Sequence, residues 1–519
     1  LDEPNGQHNL AYSEGLRLLN GLPLLSEEGQ EWIQSKAGSR LPPTVINKFR
    51  LPWQNCYTTI SSPESKKIQV NDLRNLQLPA RKAVATLATV FCSTIQSLIF
   101  PVLSHDLFVG GTLDLAYQKT GIEQPGADSA GACVHALLAM ISVFGHESDN
   151  EAPNRWVTPQ KHALEAEAYL PSILREMTVN GLEALMMLTV YKYFMGDLQS
   201  ASILVSASSR LIYRLGAHIP PTPSHPYDKR IPLHHIRDLF WVCYSFDKDL
   251  AHRLGQPPII NDDYCDLTLP PDYVQMQSFN IQGSNILAVS ESTIVPLYPW
   301  DLRLSTIKSR VSGALHSVNA SKQPQTEILR RIRCLDEELE DWRLSLPVDH
   351  RPTLSFLKRT PVDIHMNTQA VMLRLAYHHC VILIHQARSR ILELTSLMST
   401  GVSGERDVDI SLMMDASKST LLYLQKALPV VAHECFWVII FYPLTAIFTI
   451  FFGALSNPLM VSVTEDLELL QNFPRVLRQI PIRTLTIAEI AQLEFLDELV
   501  VALGELSLAA VQKATHSVS

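Results

Sequence analysis

The chain has 519 residues, 46% hydrophobic and 18% charged, with a formal net charge of -9. This is a globular composition with ample core, enough for roughly two to four domains or one large α-structure. The acidic balance lacks the basic face that neutralises phosphates, which argues against nucleic-acid binding by this chain on its own.

Eight cysteines (Cys56, Cys92, Cys133, Cys243, Cys265, Cys334, Cys380 and Cys435) form no CxxC pair. Most lie in apolar helical runs, so the usage reads as reduced and intracellular, without a disulfide framework or zinc knuckle. The polar start "LDEPNGQHNL" does not resemble a secretory signal, and Leu1 in place of an initiator Met makes an upstream segment the expectation.

In chain order the sequence reads as helix after helix. Residues 78–100 predict a helix with Pro79 near its start, and residues 129–145 another, ended by Gly145. Thr158 and Pro159 mark an N-cap and first helical position. Residues 178–216 predict an αα-hairpin: Gly196 closes the first helix, Asp197 caps the second, and Ser200, Ala201, Ser206, Ala207 and Ser208 allow close packing. A long helix over 233–255 follows, then a proline-punctuated stretch read mostly as loop to about Trp300.

The second half opens on an amphipathic helix whose seam is Ile328, Ile332, Leu335, Leu339, Trp342 and Leu346, stopped by Pro347. Later helices are predicted over 362–394, 411–431 and 486–515, the last with Thr486 and Glu489 as a capping box, and 399–409 as a flexible loop. Residues 435–455 carry no charge and are long enough to span a membrane. No Lys or Arg stands between Lys426 and Arg475, and Pro443 interrupts the run, so a buried core helix is expected and no membrane partner. Convincing β-alternation is scarce. The fold class is all-α: a large multi-helix bundle of packed αα-hairpins joined by long Pro-rich loops.

One acidic run, Asp262-Asp263-Tyr264-Cys265-Asp266, reads DDxxD. In all-helical isoprenoid enzymes such aspartates bridge magnesium to a diphosphate from a helix face. Here Pro257-Pro258 and Pro270-Pro271 leave little room for a helix, and no second metal motif follows. The favoured reading is a solvated acidic turn in which Asn261 or Asp262 hydrogen-bonds its own backbone. His378, His379 and His385, and His234 with His235 beside Asp238, read as satisfied histidines and not as metal ligands. No P-loop, Rossmann or GxSxG pattern is present; neither a catalytic residue nor a metal site is assigned, and enzymatic activity is not expected. On the C-terminal helix Glu489, Glu494, Asp497, Glu498 and Glu505 form a solvated acidic face or, alternatively, a docking surface.

Residues 237–270 resemble the most recognisable block of the middle-homology regulatory region of fungal zinc binuclear cluster transcription factors. The matching residues are Arg237, Phe240, Trp241, Tyr244, Asp247, Leu254, Gly255, Pro257, Asp262, Asp263, Asp266, Leu269 and Pro270. The chain departs at Gln256, where the family usually has Arg. Residues 180–218, 335–347, 374–386 and 441–458 are similar to further blocks of that region, in the same order.

The resemblance implies that the acidic run is a loop packed on helices without metal, and that 435–455 is a central buried helix. It divides the chain into an N-terminal extension (1–77), a first helical half (78–300) and a second (301–519). It implies a nuclear regulatory region whose zinc and DNA contacts belong to a DNA-binding module absent from this chain. Expected partners are a small-molecule effector, a second copy as homodimer, and coactivators or corepressors. Trp241, Tyr244, His379, Phe436 and Trp437 are the candidates for an effector pocket. The competing readings are a ligand-free dimerisation and docking scaffold, and the isoprenoid enzyme using residues 262–266.

Overall fold

Helix pairing organises the structure, a computed structural model that describes residues 27–48, 78–118, 124–144, 158–220, 233–283, 295–356, 367–396, 404–431, 435–460, 462–479 and 487–518. Among these residues the regular elements are helices and no strand is present, so the all-α class holds. The longer helices are α1 (Glu27–Ala37), α2 (Arg81–Cys92), α3 (Ala127–Ile141), α4 (Val179–Phe194), α5 (Leu198–Leu215), α6 (Leu233–Leu254) and α7 (Leu302–Leu315). They continue as α8 (Gln325–Leu344), α9 (Thr368–Ser396), α10 (Gly404–Ala427), α11 (Phe436–Ser456), α12 (Val463–Leu477) and α13 (Ile487–Val518).

Sequence neighbours are mostly spatial neighbours. Helix α3 packs on α4, α4 on α5, α5 on α6, and α6 on α7; the series continues through α8, α9, α10 and α11. Helix α13 then packs on α11 and α12, and α1 returns from the chain start to lie on α13. One hydrophobic cluster runs from Ile33 to Ala510 through this series.

The αα-hairpin forms as its residues dictate. Thr178 Oγ1 accepts from the Gly181 amide (3.1 Å) to start α4, and Asp197 Oδ1 accepts from the Ser200 amide (3.1 Å) to start α5. Gly196 between them has φ +79°, the left-handed conformation that favours glycine. It is also where the far end of the chain arrives: a Cβ at Gly196 would stand 2.4 Å from the Trp437 ring on α11. The α8 seam buries Ile328, Ile332, Leu335, Leu339 and Trp342, the positions its spacing predicts.

Helix α11 is buried on almost every side because its residues are apolar on every side. Both Ala127–Phe144 and Phe436–Ser456 are long and apolar enough to cross a membrane by length and composition, and both lie mostly inside the helical body.

Several boundaries differ from expectation. The 78–100 helix is two helices, α2 and Ile95–Ile99, broken at Ser93 and Thr94. Thr158 precedes a helix with Pro159 in its first turn, but its side chain makes no capping bond. The loop expected to about Trp300 contains a helix, Tyr273–Ile281. Residues 404–409, expected in a flexible loop, begin α10; residues 399–403 lie outside the described residues, as do Gly145, 362–366 and Thr486.

Candidate functional site

The acidic loop is held by one face of α6. Gly255 (φ +64°) ends that helix, and the Gln256 amide donates back to the Ala251 carbonyl (3.0 Å), a Schellman bond that turns the chain into Pro257-Pro258. Asp247 then accepts from the amides of Ile259 (2.8 Å) and Ile260 (3.0 Å). Lys248, almost wholly buried, pairs with Asp247 (3.1 Å) and Asp262 (3.4 Å) and donates to the Ile260 carbonyl. The Tyr244 hydroxyl donates to Asp262 (3.0 Å).

At the other end of the loop Arg237 donates to the carbonyls of Ala217 (3.1 Å) and Asp266, and its guanidinium lies 4.4 Å from the Phe240 ring centre. Asp262–Tyr264 form a single 3₁₀ turn, and Asn261 Oδ1 accepts from the Asp263 amide (3.1 Å). This is the self-bonded acidic turn the prolines predict, and not the α-helix a diphosphate-binding DDxxD needs. Burial is the main reason the Asp247 carboxyl is raised above its usual range; Lys248 and the two amides oppose it.

Between this loop and helices α7 and α8 opens a cleft of about 950 Å³. Gln256, Asp262 and Asp263 form one wall, Gly313 of α7 and Leu335 of α8 the other, and His252 reaches it from the end of α6. At the cleft Arg310 of α7 pairs with Glu338 of α8 (2.6 Å). The volume is that of a site for a drug-sized molecule. Gln256, standing where the resembled family has Arg, is exposed at this wall and adds no charge to it.

Behind His252 lies a buried charge cluster. Asp249 Oδ2 accepts from Arg253 Nε (2.5 Å) and from the Tyr193 hydroxyl (2.6 Å), while Oδ1 faces Lys308 Nζ at 3.4 Å. Arg253 Nη1 donates to the α11 carbonyls of Trp437 (3.2 Å) and Val438 (3.4 Å), and its guanidinium lies 4.3 Å from the Phe441 ring centre. Burial pushes Asp249 up, but Arg253 and Lys308 outweigh it and hold the carboxyl at about 2. His379 stands edge-on to Phe441, Tyr442 and His252, with ring centres 4.9, 5.9 and 6.1 Å apart.

The five pocket candidates divide between these places. Tyr244 belongs to the loop anchor, and Trp241 meets it edge-on from within the core (5.6 Å between ring centres). His379 and the Trp437 carbonyl meet at the Arg253 cluster, and Phe436 packs against Trp437 (5.0 Å). All five are buried, and none lines the cleft. Sequence reasoning passed over Asp249, Arg253 and Lys308. A charged run such as "DKDLAHR" ordinarily reads as a solvated face; the available signal was the i, i+4 Asp249–Arg253 pair in a helix otherwise rich in aromatics.

Buried histidines give the fold a pH dependence. Burial lowers His135 to about 3 and His252 and His378 to about 4, and drives His379 well down. The unfolded chain takes up these protons near pH 6.5 and the folded chain does not, so stability is full above that pH and lost as pH falls below it. Asp238, raised to about 6 by burial, opposes this further into acid. The urea midpoint is therefore expected to fall between pH 7.5 and 5.5; a constant midpoint would refute the neutral-histidine reading.

Residues 94–344, which include the anchored loop, match the fungal specific transcription factor domain, and the chain is similar to proteins named as fungal transcription factors. It is similar to an ABC-transporter-regulating transcription factor of Aspergillus fumigatus, 28% identical over 87% of this chain and 50% of the relative. A protein of the same description from Aspergillus oryzae is 24% identical over the same shares. The Fusaridione A cluster transcription factor of Fusarium heterosporum is 24% identical over 57% of this chain and 53% of the relative. The chain thus spans about half the length of these curated relatives. No solved structure matches it.

Proposed function

We propose that the chain is the effector-sensing part of a nuclear fungal transcription factor, with DNA contacted through a zinc cluster module outside this chain. The supporting observation is the 950 Å³ cleft, one wall of which is the loop anchored on α6 and the other α7 and α8. A molecule seated there contacts two separately anchored elements, and can shift the helix packing only by binding one arrangement better than the other. The change is passed on through homodimer contacts or recruited coactivators and corepressors. Since the two Aspergillus relatives are named for regulating ABC transporters, transporter genes are the first output to examine.

The test fuses the chain to an unrelated DNA-binding domain in yeast and reads reporter output across carbon sources, aromatic compounds and toxic small molecules. Gly313 lines the cleft and a Cβ there meets nothing within 4 Å, so Gly313→Leu starts from open space and projects a side chain into the cleft. The expected result is a compound-dependent output that Gly313→Leu abolishes while leaving the unfolding midpoint equal or higher. Flat output from an expressed nuclear wild-type fusion would overturn the sensor reading and leave the constitutive scaffold.

A further inference from the structure

The charge cluster behind α6 is left short of acceptors by the protein. Among the described residues Arg253, fully buried, has no protein partner for Nη2. Both ring nitrogens of His379 and the hydroxyl of Tyr442 are equally without one there, and each of these residues is at most 2% exposed. Lys308, also buried, has three N–H donors and among the described side chains pairs with Asp249, at 3.4 Å.

These groups converge. The Arg253 guanidinium is 5.7 Å from the Tyr442 ring centre, Tyr442 and His379 rings are 5.9 Å apart, and Lys308 Nζ faces Arg253 across the Asp249 carboxylate, 3.4 Å from Oδ1. They come from four helices, α6, α7, α9 and α11, so no local strand of sequence explains their meeting.

The charge is unbalanced in the same direction. Two cations, Arg253 and Lys308, share one carboxylate, Asp249. The nearby Lys248 is committed to Asp247 and Asp262 and brings no anion to this side. A buried polar atom left unpaired costs about 1–3 kcal/mol, so native proteins rarely leave several together without a guest. Ordered water satisfies hydrogen bonds but does not balance charge. An anion does both: it accepts from Arg253 Nη2, Lys308 Nζ, the Tyr442 hydroxyl and the N–H of neutral His379, and it supplies the missing negative charge.

We propose that the junction of Arg253, Lys308, His379 and Tyr442 is a binding site for a small monoanion of the carboxylate type. It is a site distinct from the cleft and does not depend on an effector binding there. The two places adjoin at His252, which lines the cleft, donates from Nε2 to the Lys308 carbonyl on α7 (3.2 Å) and meets His379 edge-on. Since the anion ties α11 to α6 and α7, its occupancy sets how firmly the last helices are held to the loop-bearing one.

The test uses the 519-residue chain in chloride-free buffer, with ionic strength held by the bulky anion isethionate. The unfolding temperature is followed while sodium acetate, sodium chloride or the uncharged isostere acetamide is titrated. Arg253→Leu would strip Asp249 Oδ2 and the Trp437 and Val438 carbonyls of their donor and can fail to fold. Tyr442→Phe removes only a hydroxyl that bonds no protein group, and is expected to fold as well as wild type without anion.

The expected result is a saturable rise with acetate, none with acetamide, and at least about tenfold weaker acetate binding in Tyr442→Phe, the worth of one hydrogen bond to a charged group. A saturable rise with chloride as well identifies an inorganic-anion site of the same chemistry; a rise with acetate alone assigns an organic acid. No saturable response to either anion, or one that Tyr442→Phe and His379→Leu leave unchanged, would overturn the proposal.

Discussion

Asp249→Ala is expected to destabilise the chain by about 3–5 kcal/mol, the cost of leaving a buried charge uncompensated. The substitution strips Arg253 and Lys308 of their carboxylate and Tyr193 of its acceptor at once. Asp249→Asn is expected to cost nearly as much, because it keeps the shape and removes the charge. The informative comparison is the triple variant Asp249→Leu with Arg253→Met and Lys308→Met, which leaves no bare charge in the cluster. Replacing a buried ion cluster by apolar groups of similar volume is often neutral, so the triple variant should recover much of the loss. Urea unfolding of the single and triple variants measures this. Additive losses would mean that Arg253 is held mainly by the α11 carbonyls and aromatic rings, not by Asp249.

The second large effect lies at the turn between α4 and α5. Gly196→Ala is expected to cost about 3 kcal/mol from two sources that act together. A Cβ in the left-handed region costs roughly 1–2 kcal/mol, and overpacking against a rigid ring adds roughly 1–3. The ring is Trp437, whose atoms would lie 2.4–2.7 Å from the new carbon; it is buried and packs edge-on against Phe436, while its backbone carbonyl is held by Arg253, so it has little room to swing aside. Gly313→Ala is the control: it has open space and ordinary helical φ, and should be neutral or stabilising by up to about 1 kcal/mol. If Gly196→Ala unfolds at the wild-type urea concentration, the contact between the hairpin turn and α11 is looser than the structure places it.

Local physics made much of this protein readable from its residues. Gly196 and Asp197 punctuate the hairpin because left-handed φ and amide capping depend on residues adjacent in sequence. The seam of α8 follows from the helical period, and the prolines around Asp262 rule out a long helix whatever packs against it. The block from Arg237 to Pro270 carries the resemblance to the regulatory region, and in the structure Arg237, Tyr244 and Asp247 of that block tie the loop to α6.

What the tertiary structure alone decided is where charge goes. Asp247, Lys248, Asp249, His252 and Arg253 have the composition of a solvated helix face, and all five are buried. Nothing local favours that, because desolvating these groups is repaid only by partners from distant segments. Those partners are the Ile259 and Ile260 amides, the Tyr193 hydroxyl, the Lys308 ammonium and the Trp437 carbonyl. The same holds for the cleft, a space defined by a loop and two helices that are separated in sequence and meet only after α6 to α8 have packed. Period, caps and turns are properties of neighbouring residues; a buried ion cluster and a cavity are properties of the whole packing.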